Sequence, residues 1–380
     1  MYLDPALVQE YLLDDGDLLL SRSGTIGRSF IYRKDQHGLC AYAGYLVRFV
    51  LDSSLLPQFA FYFTKSQTFF DWLNLSVIES TIGNVNGQKY ANMPLPFPPL
   101  PEQRAIAVLL DRETAKLDTL IAKKERLIAL LQEQRAALIS HAVTRGLDPA
   151  APLKDSGVPW LGQIPAHWET RRLKFLTPFV TSGSRGWARY YSDDGPLFLR
   201  IGNLSRTSID LDLGDIEHVS PPEGAEGERT RVSPGDVLIS ITAYIGSVAV
   251  VAEGIGEAYV NQHIALTRPQ QHSIAPRWLG YYLLSRAGQE QFGLLLYGGT
   301  KDGLGLDEVR NLLILLPPLA EQRAIAAYLD HQTAKLDALI SVIRQAIEKV
   351  EEERTALIAA AVTGKIDARA VDAGGGEAGG

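Results

Sequence analysis

Sulfur is scarce in this sequence: one cysteine, Cys40, and two methionines stand among 380 residues. A single thiol excludes an intrachain disulfide framework and a thiolate metal cluster. Beside an otherwise soluble composition it favours a reducing compartment, so we expect a cytoplasmic protein. The opening MYLDPALVQEYLLDDGD has no basic region followed by an apolar core, so it does not read as a secretion signal. Long hydrophobic runs are missing as well. The most apolar stretch, Leu312 to Leu319, is broken by Pro317 and Pro318 and is far too short to span a bilayer. Signatures of catalysis are also absent. There is no GxxxxGK[ST] phosphate loop, no glycine-rich nucleotide fingerprint after a strand, no HExxH and no nucleophile elbow. The acidic run Asp210, Asp212, Asp215 and Glu217 lacks the glycine and terminal glutamate of a calcium loop, so it reads as solvated charge.

Positive charge is in deficit, with 37 Lys and Arg against 44 Asp and Glu, a net charge of -7. That argues against binding nucleic acid through bulk charge alone, because such affinity comes from neutralised phosphates. Distribution matters more than the sum. Arg171, Arg172, Lys174, Arg185, Arg189, Arg200 and Arg206 fall in one segment that holds only Asp193 and Asp194 in opposition. The next stretch, Asp210 to Glu228, is acidic. A basic face on an acidic protein is therefore expected.

What the chain does contain is a repeat. PLPEQRAIAVLLDRETAKLDTLI, from Pro99, returns as PLAEQRAIAAYLDHQTAKLDALI, from Pro318, an offset of 219 residues. Residues 99–148 and 318–367 are identical at 27 of 50 positions. Upstream, DGDLLLSRSGTIG matches PGDVLISITAYIG at the same offset, so two copies of one unit are present. The copies are unequal. Residue 1 aligns with residue 220, and Val158 to Val219 has no partner in the first copy. That segment carries VPWLGQIPAHWETRRLKFL and the basic stretch. A first unit truncated at its start is expected, whether by loss or because the reading frame begins inside a longer one.

Glu102 to Arg145 and Leu319 to Thr363 contain neither proline nor glycine, which predicts two unusually long helices. Apolar residues at Ile106, Leu110, Leu117, Leu120, Leu131 and Leu138 form a stripe. Ile325, Leu329, Leu336, Ile340, Ile347 and Leu357 repeat it. Such stripes need a partner, and an antiparallel coiled coil between the two repeats fits the connectivity. Between the helices, Pro196 to Ile201, Gly235 to Ile241, Gly246 to Val251 and Ile264 to Thr267 read as short strands, and Ala275 to Phe292 as helix. The fold class expected is α+β, with mixed, mainly β domains alternating with two long helices. The boundaries are a partial domain 1–98, a helix 99–146, a linker 147–157, a complete domain 158–317, a helix 318–365 and a disordered tail 366–380.

The paired PPLxEQRAIAxxLDxxTAKLDxLI segments, the helix ends ALISHAVTRGLD and ALIAAAVTGKID, and the opening VPWLGQIPAHWE resemble the specificity subunit of type I restriction–modification systems. The resemblance covers nearly the whole chain and is weakest inside the recognition domains. It implies two target-recognition domains reading a split target in double-stranded DNA, held apart by the coiled coil. It implies docking of modification (methyltransferase) subunits, two of them, with restriction subunits joining the assembly and no membrane partner. It implies no catalysis and no bound cofactor in this chain. S-adenosylmethionine, ATP and Mg would belong to the partners. Two competing readings are a coiled-coil adaptor that has lost bipartite recognition and a single-chain DNA-modifying enzyme.

Reading base edges takes side chains with fixed donors and acceptors, and phosphate contacts set the register. Among glycines the second domain offers Ser184, Arg185, Arg189 and Asn203, with Trp187 and Tyr191 alongside. Trp187 is either a wedge or a core residue. Arg171, Arg172 and Lys174 suit phosphates, or are plain surface charge, and Arg200 is a further DNA-binding candidate. Thr242 and Tyr244, Gln262 and Lys301 lie in further loops. Gln262 suits adenine, or else it closes a turn. Arg22, Thr25 and Tyr45 are the equivalents in the first unit. His263 has no metal-ligand partner at suitable spacing and reads as a structural histidine.

Overall fold

The computed structural model describes residues 8–78, 85–183, 185–221, 224–296 and 303–369. Its contacts divide the chain into two compact units, Met1–Ile128 with Ser341–Gly380, and Ala129–Ile340. The division falls inside both long helices, so each unit holds part of each.

The first unit runs β1 (Leu18–Ser21), β2 (Ser29–Ile31), α1 (Lys34–His37), β3 (Leu46–Phe49), α2 (Pro57–Phe63), α3 (Gln67–Ile78), α4 (Gly87–Ala91) and the start of α5 (Leu100–Arg145). Its three strands form one antiparallel sheet in the order β2-β1-β3. Phe59, Phe63 and Phe69 from α2 and α3 pack beneath it, together with Ile106 and Leu110 of α5.

The second unit carries β4 (Leu153–Asp155), β5 (Gln163–Pro165), β6 (Glu169–Arg172), β7 (Phe179–Ser182), β8 (Tyr191–Leu199), β9 (Glu217–Val219), α6 (Ala225–Thr230), β10 (Val237–Ser240), β11 (Val248–Val250), β12 (Ala258–Val260) and β13 (Ile264–Arg268). It closes with α7 (Pro276–Leu284), α8 (Arg286–Leu296), α9 (Leu306–Arg310), β14 (Leu313–Leu316) and the start of α10 (Leu319–Val362). A four-stranded sheet, β11-β10-β13-β7, lies beside a three-stranded one, β12-β8-β9. The architecture is the expected α+β one. The four strand runs read from sequence fall in β8, β10, β11 and β13. The helical run divides at Ser285 into α7 and α8. The polar linker is not wholly irregular, since Leu153–Asp155 pairs with Gln163–Pro165.

In each unit the long helices lie antiparallel. The start of α5 shares a core with Ile358, Ala361 and Val362 from the end of α10 in the first unit. In the second, Ile139, Ala142 and Val143 from the end of α5 share one with Ile325 and Leu329. The covered face of α5 follows Ile106, Leu110, Thr114, Leu117, Ile121, Lys124, Ile128, Leu131, Arg135, Leu138 and Ala142. Those steps of three and four are a coiled-coil seam. The equivalent positions of α10, 219 residues on, are covered as well. Leu120 is a correction: it is 40% exposed and off the seam, as is its repeat Leu339 at 45%. Thr114, Lys124 and Arg135 are polar seam positions, so an apolar stripe read from sequence slides onto Leu120 instead. Arg135 pairs with Asp337, and its repeat Arg354 pairs with Asp118 at 3.0 Å. The same bridge thus forms twice.

The repeated motif is explained by what it clamps. Gln103 and Gln322 are fully buried. Each amide oxygen accepts the backbone N–H just before a domain helix, α2 or α7, from Leu56 at 2.7 Å and from Ala275 at 2.8 Å. Each amide nitrogen donates to the proline carbonyl before the long helix, Pro98 or Pro317, at 2.8 Å. Eight residues later, Asp111 accepts from the Tyr62 hydroxyl at 2.6 Å, and Asp330 from the Tyr281 hydroxyl at 2.7 Å. Burial pushes both tyrosines up to about 12. At the far ends, Gly146 (φ 76°) and Gly364 (φ 72°) release the helices through left-handed backbone that a side chain would strain. Beyond Gly364 the expected disorder does not begin at once. Ala368 is buried in the first core and Arg369 reaches Glu102 at 3.2 Å, while 370–380 lies outside the described residues.

Candidate nucleic-acid interface

The four-stranded sheet brings several loops of the second unit to one edge. Ser240, the last residue of β10, faces Ile264, the first of β13, so the turns after β10 and before β13 are neighbours. Ile241 N–H donates to the His263 carbonyl at 3.0 Å, and Leu304 N–H donates to the Ile241 carbonyl at 2.7 Å. Ser182 at the end of β7 pairs with Ala265. Next to it, Gly183 lies so close to the Val260 and Asn261 backbone that a Cβ would come within 2.0 Å of the Val260 carbonyl oxygen. Only glycine allows the chain leaving β7, just before Arg185, to pass this close to the backbone preceding Gln262. Thr242, Tyr244, Gln262, the turn at Arg185 and the 303–304 segment therefore share one edge.

Tyr244 is the most informative residue there. It is 74% exposed and, with φ 53°, is the one non-glycine residue in left-handed backbone among those described. Its carbonyl holds the turn, accepting from the Ser240 hydroxyl at 2.6 Å and the Ser247 hydroxyl at 2.9 Å. A strained, solvent-facing aromatic ring at a loop tip points to contact rather than folding. Beside it, Ile201, Leu204, Ser205, Arg206, Ala243 and Tyr244 line a cavity of about 540 Å³. Arg206 Nη2 donates to the Ile245 carbonyl.

Arg185 and Arg189 are exposed, Arg189 lying 4.9 Å over the Tyr190 ring. Tyr191 is 45% exposed and meets the edge of Phe198. Arg171, Arg172 and Lys174 are exposed too, but they belong elsewhere. They precede the opposite end of β7, where Phe179 pairs with Arg268, about 10 Å from Ser182 at strand rise. Arg172 and Lys174 contact Asn311 and Arg171 contacts Glu169.

Two expectations are corrected. Trp187 is 2% exposed and stacks on Phe198 at 5.8 Å in a small core with Val219 and Tyr259, so it is not a stacking platform for bases. Asn203 is equally buried. Its amide accepts from Arg200 N–H and donates to the Asp212 and Asp215 carbonyls, all at 2.8 Å. Arg200 is engaged by Asp215 and Glu217 at 3.2 and 3.0 Å, so the acidic run read as solvated charge neutralises this arginine. Ser184 and Lys301 lie outside the described residues. Sequence reasoning set His263 aside, yet its ring lies between Thr242 and Gln262, 3.0 Å from each. No spacing rule could have found it, because its neighbours come from two different loops.

In the first unit, Arg22 N–H donates to the Tyr45 carbonyl at 2.9 Å, and the Ser21 hydroxyl donates to the Thr25 carbonyl. The latter repeats the Ser240–Tyr244 bond. Thr25 is exposed and Tyr45 is 60% exposed. Among the described residues no group of three or more His, Cys, Asp or Glu is placed to hold a metal ion, and no helix is long and apolar enough to cross a membrane.

Comparison with known proteins agrees with the repeat. The sequence model described as the type I restriction modification DNA specificity domain matches residues 2–129 and 225–351. The chain is 24% identical over 303 residues to the type I restriction enzyme EcoBI specificity subunit of Escherichia coli, covering 78% of this chain and 63% of that protein. It is 24% identical over 364 residues to the MjaVIII specificity subunit of Methanocaldococcus jannaschii, covering 94% and 81%. A chain from a solved structure on complex assembly and conformational transition of the type I R-M system superposes with TM-score 0.68 at 22% identity, covering 93% and 83%. That likeness shows a common fold. With two matched segments spanning most of both repeats, the chain belongs to the type I restriction modification DNA specificity family.

Proposed function

We propose that this chain is the non-catalytic, sequence-reading subunit of a type I complex, and that its second unit reads one half of a target in double-stranded DNA. The observation that carries this is the loop edge on which exposed, strained Tyr244 stands with Thr242, Gln262 and the turn bearing Arg185. Tyrosine and threonine at a major-groove edge supply donors and apolar contact, and the arginines supply charge-assisted bonds to guanine or phosphate. Modification subunits, two of them, dock on the paired helices, where Leu120 and its repeat Leu339 present the same apolar surface twice. Restriction subunits join them, and S-adenosylmethionine, ATP and Mg are held by those partners.

The test is enrichment of a randomised duplex pool on the complex with its modification subunits, followed by titration of Arg185→Ala. We expect one enriched half-site and a drop in affinity on the order of tenfold, a lost charge-assisted base contact being worth about 1–3 kcal/mol. No enrichment by the wild-type complex overturns the reading. A narrower second reading is favoured by β3, which among the described residues pairs only with β1: the first unit spaces and docks, and recognition rests on the second alone. Footprints over one half-site rather than two would select it.

A further inference from the structure

Between Thr242 and Gln262 the imidazole of His263 makes two contacts, and the one to Gln262 fixes where its proton sits. Gln262 Nε2 lies 3.0 Å from His263 Nε2, and Thr242 Oγ1 lies 3.0 Å from His263 Nδ1. An amide nitrogen has protons and no acceptor, so the ring Nε2 must accept. The ring proton is then on Nδ1 and is donated to the threonine hydroxyl. The backbone holds the ring in place: His263 N–H donates to Asn261 Oδ1 at 3.1 Å, and its carbonyl accepts from Ile241 at 3.0 Å. Thr242 and His263 come from the two turns that meet at the sheet edge.

The consequence falls on Gln262. Its amide makes no other hydrogen bond among the described residues, and the residue is half-buried. With one N–H given to the histidine, the oxygen and the second N–H remain. One acceptor beside one donor is the pattern that pairs with adenine, whose major-groove edge offers N6–H and N7. An amide turned the other way would present two donors and would suit the two acceptors of guanine instead. Leaving the amide unanchored would allow both.

Resting on the DNA-reading role proposed above, we infer that His263 is a positioning residue that locks the Gln262 amide so that it reads adenine rather than guanine. His263 itself touches no base. It acts through the hydrogen bond to Gln262, and the Thr242 hydroxyl accepts the proton that this leaves on Nδ1.

The experiment is enrichment of a randomised duplex pool on the full complex, carrying wild-type chain or His263→Ala, His263→Asn, His263→Gln or Gln262→Ala. Wild type should select adenine at one position of the second half-site. His263→Ala and His263→Asn should lose roughly tenfold or more of that preference against guanine while other positions keep theirs. His263→Gln, which again offers an acceptor at the place of the ring Nε2, should restore part of it. Gln262→Ala should abolish base preference at the same position. Unchanged adenine preference in His263→Ala, or guanine selected by wild type where Gln262→Ala loses preference, overturns the inference while leaving the DNA-reading role intact. Loss at all positions in His263→Ala, unrescued by His263→Gln, also overturns it, since a purely structural role would act that way. Failure of the wild-type complex to enrich any sequence removes the DNA-reading role itself.

Discussion

The two units repeat the same clamps but not the same cover. In the second, β13 is bonded on one side to β10 and on the other to β7. In the first, β3 pairs only with β1 among the described residues, and its outer edge has no strand. Leu39 is 58% exposed where its repeat Ala258 is fully buried, and Tyr45 is 60% exposed where Ile264 is fully buried. The buried faces in the second unit are those met by β6 to β9, which have no counterpart in the first. Phe97 follows the rule as well: it is 61% exposed where Leu316 pairs with Glu169 in β6. An open strand edge beside exposed apolar side chains is normally covered or blunted. The contrast teaches that the helix clamps and the recognition layer are separable parts.

The largest effect should come from breaking a part only the second unit owns. Trp168 is fully buried, meets Trp278 edge-on at 5.5 Å and donates through Nε1 to Glu321 at 3.1 Å. Trp168→Ala should destabilise the second unit by about 3–5 kcal/mol. Hydrogen exchange should show β10 and β13 amides opening while those of β1 keep their protection. In the first unit the same helix start is held by Arg369 on Glu102, both partly exposed, so Arg369→Ala should cost less than about 1 kcal/mol. Equal opening of both units in Trp168→Ala would break the comparison.

A shared part should fail alike in both. Gln103→Ala and Gln322→Ala each strand a buried backbone N–H, Leu56 or Ala275, and the proline carbonyl beside it. Each should cost about 1–3 kcal/mol within its own unit, seen as matched shifts in denaturant midpoint for the amides of that unit. A loss confined to one unit would show that the repeated motif has diverged in role.

The repeat made most of this legible, because a pattern that occurs twice at a fixed offset reports constraint without any outside sequence. The long helices, their antiparallel pairing and the strands β8, β10, β11 and β13 all follow from periodicity and turn residues. What was hidden has common physical causes. Lys124 and Arg135 lie on the seam but are polar, so no apolar count includes them. Asn203 and Trp187 have the chemistry of base contacts, yet the local chain turns them inward, where Asn203 ties Arg200 to the acidic run. The interface itself is non-local. Thr242, His263 and the turn at Arg185 meet only because β10, β13 and β7 are neighbours in one sheet, and strand order is not written in any short segment.

The loop tips sharpen the comparison by a smaller amount. In the first unit this turn has its left-handed backbone at glycines, Gly24 and Gly27, where the conformation costs little; in the second it falls on Tyr244, the repeat of Thr25, as well as on Gly246. A side chain there costs about 1–2 kcal/mol, partly offset by the entropy a glycine would lose. Tyr244→Gly should therefore leave the second unit as stable as before or up to about 1 kcal/mol more so. Affinity of the complex for its enriched duplex should fall on the order of tenfold. Thr25→Gly should change neither by a comparable amount. Stability and affinity falling together in Tyr244→Gly would mean that the ring is structural.

The smallest effect concerns alkaline pH, where both units should respond alike. Tyr62 and Tyr281 each donate to an aspartate of the long helix, and burial chiefly raises both from 10.0 to about 12. A raised native value means that the folded chain keeps a proton the unfolded chain releases first. The stabilisation is complete below pH 10 and is lost as pH climbs from there towards 12, so stability falls with pH across that window. Replacing one hydroxyl, Tyr62→Phe or Tyr281→Phe, should cost about 1 kcal/mol at neutral pH through the lost hydrogen bond. It should also flatten the alkaline slope for that unit alone. Because the two aspartate clamps are geometrically matched, the two flattenings should be equal. A flattening confined to Tyr281→Phe would place the alkaline weakness in the covered unit and show that the first clamp is already open to water.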